Sequence, residues 1–141
     1  MLGSQKYTKS VDVWSVGCIL GEMIHGKAIF PGKSTLNQIE LIVKLIGPLD
    51  EEAFATVESQ LAWNILKSIN IKDGKSYNEF FPNAARDSID FMERCLKFDP
   101  AARMTIEEAL AHPYVAEFRN EAQEITLKDP VPYWPLKIRL Y

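Results

Sequence analysis

Cysteine, histidine and positive charge are all scarce in this sequence. Two cysteines and two histidines are spread over 141 residues, too few for a disulfide framework. His25 and His112 have no companion ligands at metal spacing, so neither a zinc site nor a His-based catalytic pair is expected. Cys18 and Cys95 lie in apolar, helix-like stretches and read as reduced core thiols of an intracellular protein, cytoplasmic or nuclear. Lys and Arg number 16 against 19 Asp and Glu, for a formal charge of −3 and a pI near 5.4. No broad basic field exists to draw nucleic acid or an anionic membrane. Long apolar runs are missing too: the longest, at 16–21, is closed by Glu22, whereas a membrane-spanning helix needs about 20 residues. The first six residues lack the basic-then-apolar order of a secretory signal.

Alternating strand patterns are also absent, and helical periodicity takes their place. From 10 to 25, Val11, Val13, Trp14, Val16, Ile19, Leu20, Met23 and Ile24 cover most of a helix circumference, the pattern of a central, buried helix. Ser10 can cap its start, Asp12 suits its positive first turn, and Gly26 can end it. A second, amphipathic helix is expected over 35–46, with Ser34 as N-cap and Gly47-Pro48 as its stop. Shorter helices are expected at 52–58 and 60–68, followed by a turn at Asp73-Gly74. Ala85, Ile89, Met92 and Leu96 place a further helix at 84–97, broken by Asp99-Pro100. Thr105 and Glu108 form a T-x-x-E capping box for a helix through Ala111, which His112-Pro113 ends. The fold class is therefore all-α. Beyond Phe118 the chain turns polar, then extended through Pro130, Pro132 and Pro135, where Tyr133, Trp134, Leu136 and Ile138 offer apolar surface.

Two segments imitate a phosphate-binding loop, Gly32-Lys33-Ser34-Thr35 and Gly74-Lys75-Ser76. Both lack the earlier glycine, because Lys27 and Ile69 stand at its position, and neither follows a strand. Gly17 and Gly21 form a small-x-x-x-small step that permits close backbone packing within a core.

The most specific signals are Asp12-Val13-Trp14-Ser15-Val16-Gly17 and, much later, Asp99-Pro100-Ala101-Ala102-Arg103-Met104-Thr105 running on to Ala109-Leu110-Ala111-His112-Pro113-Tyr114. The first is similar to the D-x-W-S-x-G signature of protein kinases, and the second to their D-P-x-x-R-x-[ST] and A-L-x-H-P-[YF] signatures. Tyr7-Thr8, Gly17-Cys18-Ile19-Leu20, and Ile29-Phe30-Pro31-Gly32 with Asn37-Gln38-Ile39 resemble MAP kinases, most of all the atypical extracellular-signal-regulated branch with a long C-terminal extension.

The resemblance implies the helical C-terminal lobe of a protein-kinase-like fold. It covers 1–119, with a MAP-kinase-type insert at about 47–83 and a tail at 120–141. It also implies that the complete protein uses ATP and Mg to phosphorylate Ser and Thr of proteins. The family's glycine-rich loop, V-A-I-K lysine, catalytic loop, D-F-G and A-P-E all precede the matched region. No catalytic, cofactor-binding or metal residue is therefore expected in this chain, and alone it should be inactive or serve as a non-catalytic interaction module. Asp12, Trp14, Gly17 and Arg103 are the implied structural anchors, and Asp12 and Arg103 are expected to be buried charges without their family partners. Kinases of this group carry an acidic docking patch after H-P-Y. Here Asn120 and Gln123 replace its aspartates, with Glu117, Glu121 and Glu124 nearby. Protein partners or substrates are expected on the 35–46 helix, the insert and the tail.

Overall fold

Sixteen residues of near-continuous apolar character form the first helix, α1 (Ser10–His25), which ends where Gly26 takes a left-handed φ of 76° and donates its N–H to Glu22 O at 2.8 Å. The computed structural model describes residues 9–49, 55, 57, 60–69 and 76–124. Among the described residues these further helices have defined bounds: α2 (Thr35–Ile46), α3 (Gln60–Ser68), α4 (Tyr77–Phe80), α5 (Arg86–Cys95), α6 (Ile106–Leu110) and α7 (Pro113–Ala116). Two 3₁₀ turns, Pro100–Ala102 and Glu121–Gln123, complete the described elements. No strand occurs among the described residues, as the all-α expectation requires.

The main core forms where α1 crosses α5. Val13 and Leu20 of α1 meet Ile89, Phe91, Met92, Cys95 and Leu96, with Ile29, Phe81 and Met104 closing the sides. Gly17 makes this crossing possible. A Cβ added there would stand 2.6 Å from Cys95 Cβ and 2.9 Å from Leu96 Cγ, so the two backbones approach to a distance that only glycine allows. The reading of Gly17 and Gly21 as a packing step fits this geometry. Helix α2 bridges two cores, because Leu45 joins the main one while Ile39 and Val43 pack with Leu66 of α3 in a smaller one.

Local signals predict several boundaries well. Ser34 caps α2 by accepting from Asn37 N at 3.2 Å, and Thr105 and Glu108 make the reciprocal capping box of α6. Other expectations need correction. Ser10 does not cap α1: the helix begins at Ser10, and Lys9 holds the cap position without a side-chain bond. The 84–97 helix contracts to Arg86–Cys95, and α6 stops at Leu110. His112-Pro113 ends α6 and also opens α7, with the His112 ring accepting from Tyr114 N. Helix α4 has its own capping box, Ser76 with Glu79. Of the helix expected at 52–58 only Ala55, which is helical, and Val57, which is not, are described; the Asp73-Gly74 turn and the extended stretch after 124 lie outside the described residues.

The largest departure concerns α1. A helix apolar on all sides should be buried on all sides, yet Ile19 is 58% exposed and Met23 76%, with Val11 and Val16 also at the surface. The face carrying Val13, Gly17, Leu20 and Gly21 is covered, and Trp14, Cys18 and Ile24 are partly buried against the main core. Val11, Val16, Ile19 and Met23 are left as exposed apolar surface among the described residues.

Candidate functional site

The two diagnostic sequence segments meet in space at Arg103. After α5 the chain turns at Asp99, whose carboxylate accepts from Ala101 N at 2.9 Å, and the short 3₁₀ turn delivers Arg103 beneath the start of α1. Its guanidinium donates to three backbone carbonyls: Ser10 O at 3.0 Å, Lys97 O at 2.8 Å and Phe98 O at 3.2 Å. The same group lies 4.7 Å from the Trp14 ring centroid, and Trp14 stacks on Phe30 with centroids 6.2 Å apart. Arg103 is thus far from partnerless, contrary to the expectation. Burial lowers its pKa from the ordinary value, and nearby Asp99 opposes that shift. Arginine stays charged under any such shift. Asp12 departs from expectation as well, because it is exposed in the first turn of α1 and is not a buried charge. Trp14 is half-buried and Gly17 fully buried, both against residues of the main core.

A second polar cluster, invisible in the sequence, joins α5 to α7. His112 is only 4% exposed, and its Nε2 lies 2.8 Å from Asp90 Oδ2 while its Nδ1 accepts from Tyr114 N at 3.1 Å. These partners assign the neutral tautomer with its proton on Nε2. Arg94 Nε also reaches Asp90 Oδ2, at 3.1 Å, and Phe91 packs edge-on against the imidazole at 5.1 Å. The hydrogen bond from His112, with help from Arg94, holds the Asp90 carboxyl below the usual carboxylate range. Both ring nitrogens are spent and the ring is buried, so this His–Asp pair is a clamp and not an acid–base catalyst.

The clamp gives a pH-dependent expectation. A carboxyl whose folded pKa is depressed contributes stability above its unfolded value, about 3.9, and that contribution disappears as pH falls through the folded value. The urea midpoint should therefore drop on acidification below about pH 4, and Asp90→Asn should remove part of that drop. His112→Ala should lower stability at neutral pH by about 1–3 kcal/mol, since it orphans Tyr114 N–H and leaves a buried hole. An unchanged urea midpoint for His112→Ala would show that the clamp contributes nothing.

The acidic segment is largely self-neutralised. Arg119 makes a two-point contact with Glu124, Nε to Oε1 at 2.8 Å and Nη2 to Oε2 at 3.2 Å, and its Nη1 lies 3.3 Å from Glu121. The hydrogen bond from Arg119 holds Glu124 below the usual carboxylate range. Asn120 spends its side chain capping the turn at Ala122 N. Glu117 is exposed.

The phosphate-loop look-alike at Gly32 forms no such loop: its N–H donates to Gln38 Oε1 at 2.9 Å, and that side chain fills the space a phosphate would need; Gly74 and Lys75 of the other lie outside the described residues. Cys18 and Cys95 are both free, and burial pushes each thiol up to about 11. Neither is a nucleophile near neutral pH. A groove of about 510 Å³ opens where the end of α1 meets the loop after α4, between His25, Glu79 and Phe80. Among the described residues no group of three or more His, Cys, Asp or Glu could hold a metal ion, and no helix is long and apolar enough to cross a membrane.

Residues 1–115 match the family described as "Protein kinase domain". The chain is 45% identical over 124 residues to "Extracellular signal-regulated kinase 2" of Dictyostelium discoideum, a match covering 88% of this chain and 34% of that protein. It is 44% identical over 128 residues to "Mitogen-activated protein kinase 15" of Xenopus laevis, covering 90% and 22% respectively. It is also 40% identical over its full 141 residues to "Mitogen-activated protein kinase spk1" of Schizosaccharomyces pombe, or 37% of that protein. The chain spans about a third or less of the length of these curated relatives. The two signature segments, stapled together by Arg103 within an all-α lobe, agree with these matches: the chain belongs to the protein kinase domain family and carries C-lobe residues of the MAP kinase type.

Proposed function

We propose that the complete protein to which these residues contribute transfers the γ-phosphate of ATP to Ser and Thr of other proteins, and that this chain supplies its helical framework. The observation that carries the proposal is the staple from Arg103 to Ser10 O, which locks the D-x-W-S-x-G helix to the D-P-x-x-R segment across 93 residues of chain. On this reading 1–119 is a partial kinase domain with an insert at about 47–83, and 120–141 is a tail. The protein works in the cytoplasm or nucleus, in keeping with its two free thiols. The similarity to extracellular-signal-regulated and mitogen-activated kinases supports that branch. The exposed apolar face of α1, with Val16, Ile19 and Met23, is the surface that the preceding half of the domain covers.

The described residues do not fit Mg·ATP, since they offer no carboxylate cluster and no glycine loop free to receive phosphate. ATP and Mg belong to the upstream part of the complete protein. Partner contacts fall on α2, where Leu36 is exposed, with the insert and tail contributing. Capture of basic peptides by the acidic segment is weak, because Arg119 already occupies Glu121 and Glu124. The 141-residue chain should show no melting-temperature shift with millimolar Mg·ATP and no phosphorylation of a basic protein substrate. The full-length protein should show both. A full-length protein that neither binds nor turns over ATP would refute the kinase reading, and a nucleotide-dependent shift in the isolated chain would place a site where none is expected.

A further inference from the structure

We propose that a second copy of this chain docks on the open side of α1, the two helices lying antiparallel about a two-fold axis close to Ile19. The open side is an ordered stripe. Asp12, Val16, Ile19 and Met23 return at four, three and four residues, the spacing of the seam between two paired helices. All four are exposed, and none belongs to either core cluster. The stripe runs beside Val13 and Leu20, which are buried in the main core, so the helix is held from one side and open along its neighbour. Val16, Ile19 and Met23 together present on the order of 350 Å² of contiguous apolar surface, an area that marks an interaction site.

Self-complementarity selects the occupant. In an antiparallel pair Val16 of one copy stands opposite Met23 of the second, and Ile19 meets its own equivalent across the axis. The same register sets Asp12 against Lys27, which is exposed just past the end of α1, and symmetry makes that contact twice. A parallel pair would set Asp12 on Asp12 and Lys27 on Lys27, and would align the helix dipoles instead of opposing them. Charge therefore fixes the direction. Pairing two helices of 16 residues with their flanks buries about 1,000 Å² in total, the low end for a specific interface. The pair should be weak, with a dissociation constant of about 10 µM. On the kinase reading above, the preceding half of the domain covers the same stripe, so self-pairing and completion of the domain exclude each other. The pairing itself rests on the geometry and charge of α1 alone.

Sedimentation equilibrium of the 141-residue chain tests the proposal. Between about 1 and 200 µM the mean mass should climb from 16.0 kDa towards twice that value and level off there. Ile19→Glu and Met23→Glu should each raise the dissociation constant at least about tenfold. Both side chains are largely in solvent, so these variants should keep the parent's melting temperature at low concentration. Asp12→Lys and Lys27→Asp should each weaken the pair about threefold or more, and the double variant D12K/K27D should recover the parent's constant. A monomer at every concentration, or open-ended aggregation without a dimer plateau, overturns the proposal. So does a dimer that Met23→Glu leaves intact, or one that Phe118→Ser abolishes in its place, since the contact then lies away from α1. A double variant no tighter than the weaker single variant overturns the antiparallel register and the proposal with it.

Discussion

Replacing Arg103 by methionine should lower the urea midpoint markedly. The change removes three charge-assisted donors at once and leaves the carbonyls of Ser10, Lys97 and Phe98 to find others. Hydrogen bonds to charged groups contribute about 1.5–3 kcal/mol each. The bond to Lys97 is exposed and counts for little, while the other two are partly buried. A loss on the order of 3 kcal/mol follows, a sizeable share of the roughly 5–15 kcal/mol that holds a domain together. Methionine keeps the volume beside Trp14, so the effect reports the polar contacts and not a cavity. The measurement is a urea melt followed by helical circular dichroism. Arg103→Lys should recover less than half the loss, since one ammonium cannot serve three divergent carbonyls. A midpoint equal to the parent's would mean the staple contributes nothing.

Gly17→Val should be at least as damaging, for a steric reason. The first added carbon already falls 2.6 Å from Cys95 Cβ, and Cys95 and Leu96 are fully buried and have nowhere to retreat. Overpacking of this kind costs about 1–3 kcal/mol or more, and separating α1 from α5 opens the whole main core. Gly17→Ala gains up to about 1 kcal/mol of helix propensity and should still lose stability. Gly21→Ala provides the comparison: its Cβ meets the flexible tip of Ile29 at 2.9 Å and Met92 sulfur at 3.4 Å, both able to shift. The order of urea midpoints should be parent, then Gly21→Ala, Gly17→Ala and Gly17→Val. Equal midpoints for the two alanine variants would refute the close crossing.

Local chemistry was readable from the sequence where it acts over three or four residues. Ser34, Thr105 with Glu108, and the apolar spacing of α2 are all found in place. The Ser76–Glu79 box has the same S-x-x-E form, but α4 is a single turn and has no period to announce it. Long-range polar contacts left no trace. His112 and Asp90 are 22 residues apart, and nothing in either neighbourhood marks the other. Arg103 escaped for a different reason: its family partner is a side chain, while its partners here are carbonyls, which every residue has and no sequence displays. The burial of α1 was misjudged because periodicity reports how much of a helix is apolar and cannot say whether the matching surface lies in the same chain.

The crossing of α1 over α5 also has a consequence during synthesis. During synthesis α1 emerges before its partner, because the helix it packs on ends about 70 residues later, at Cys95. At about 5–20 residues per second, α1 waits several seconds with its whole apolar circumference exposed. Such a surface is what chaperones that hold nascent chains recognise, so α1 is the segment of this protein on which they should act.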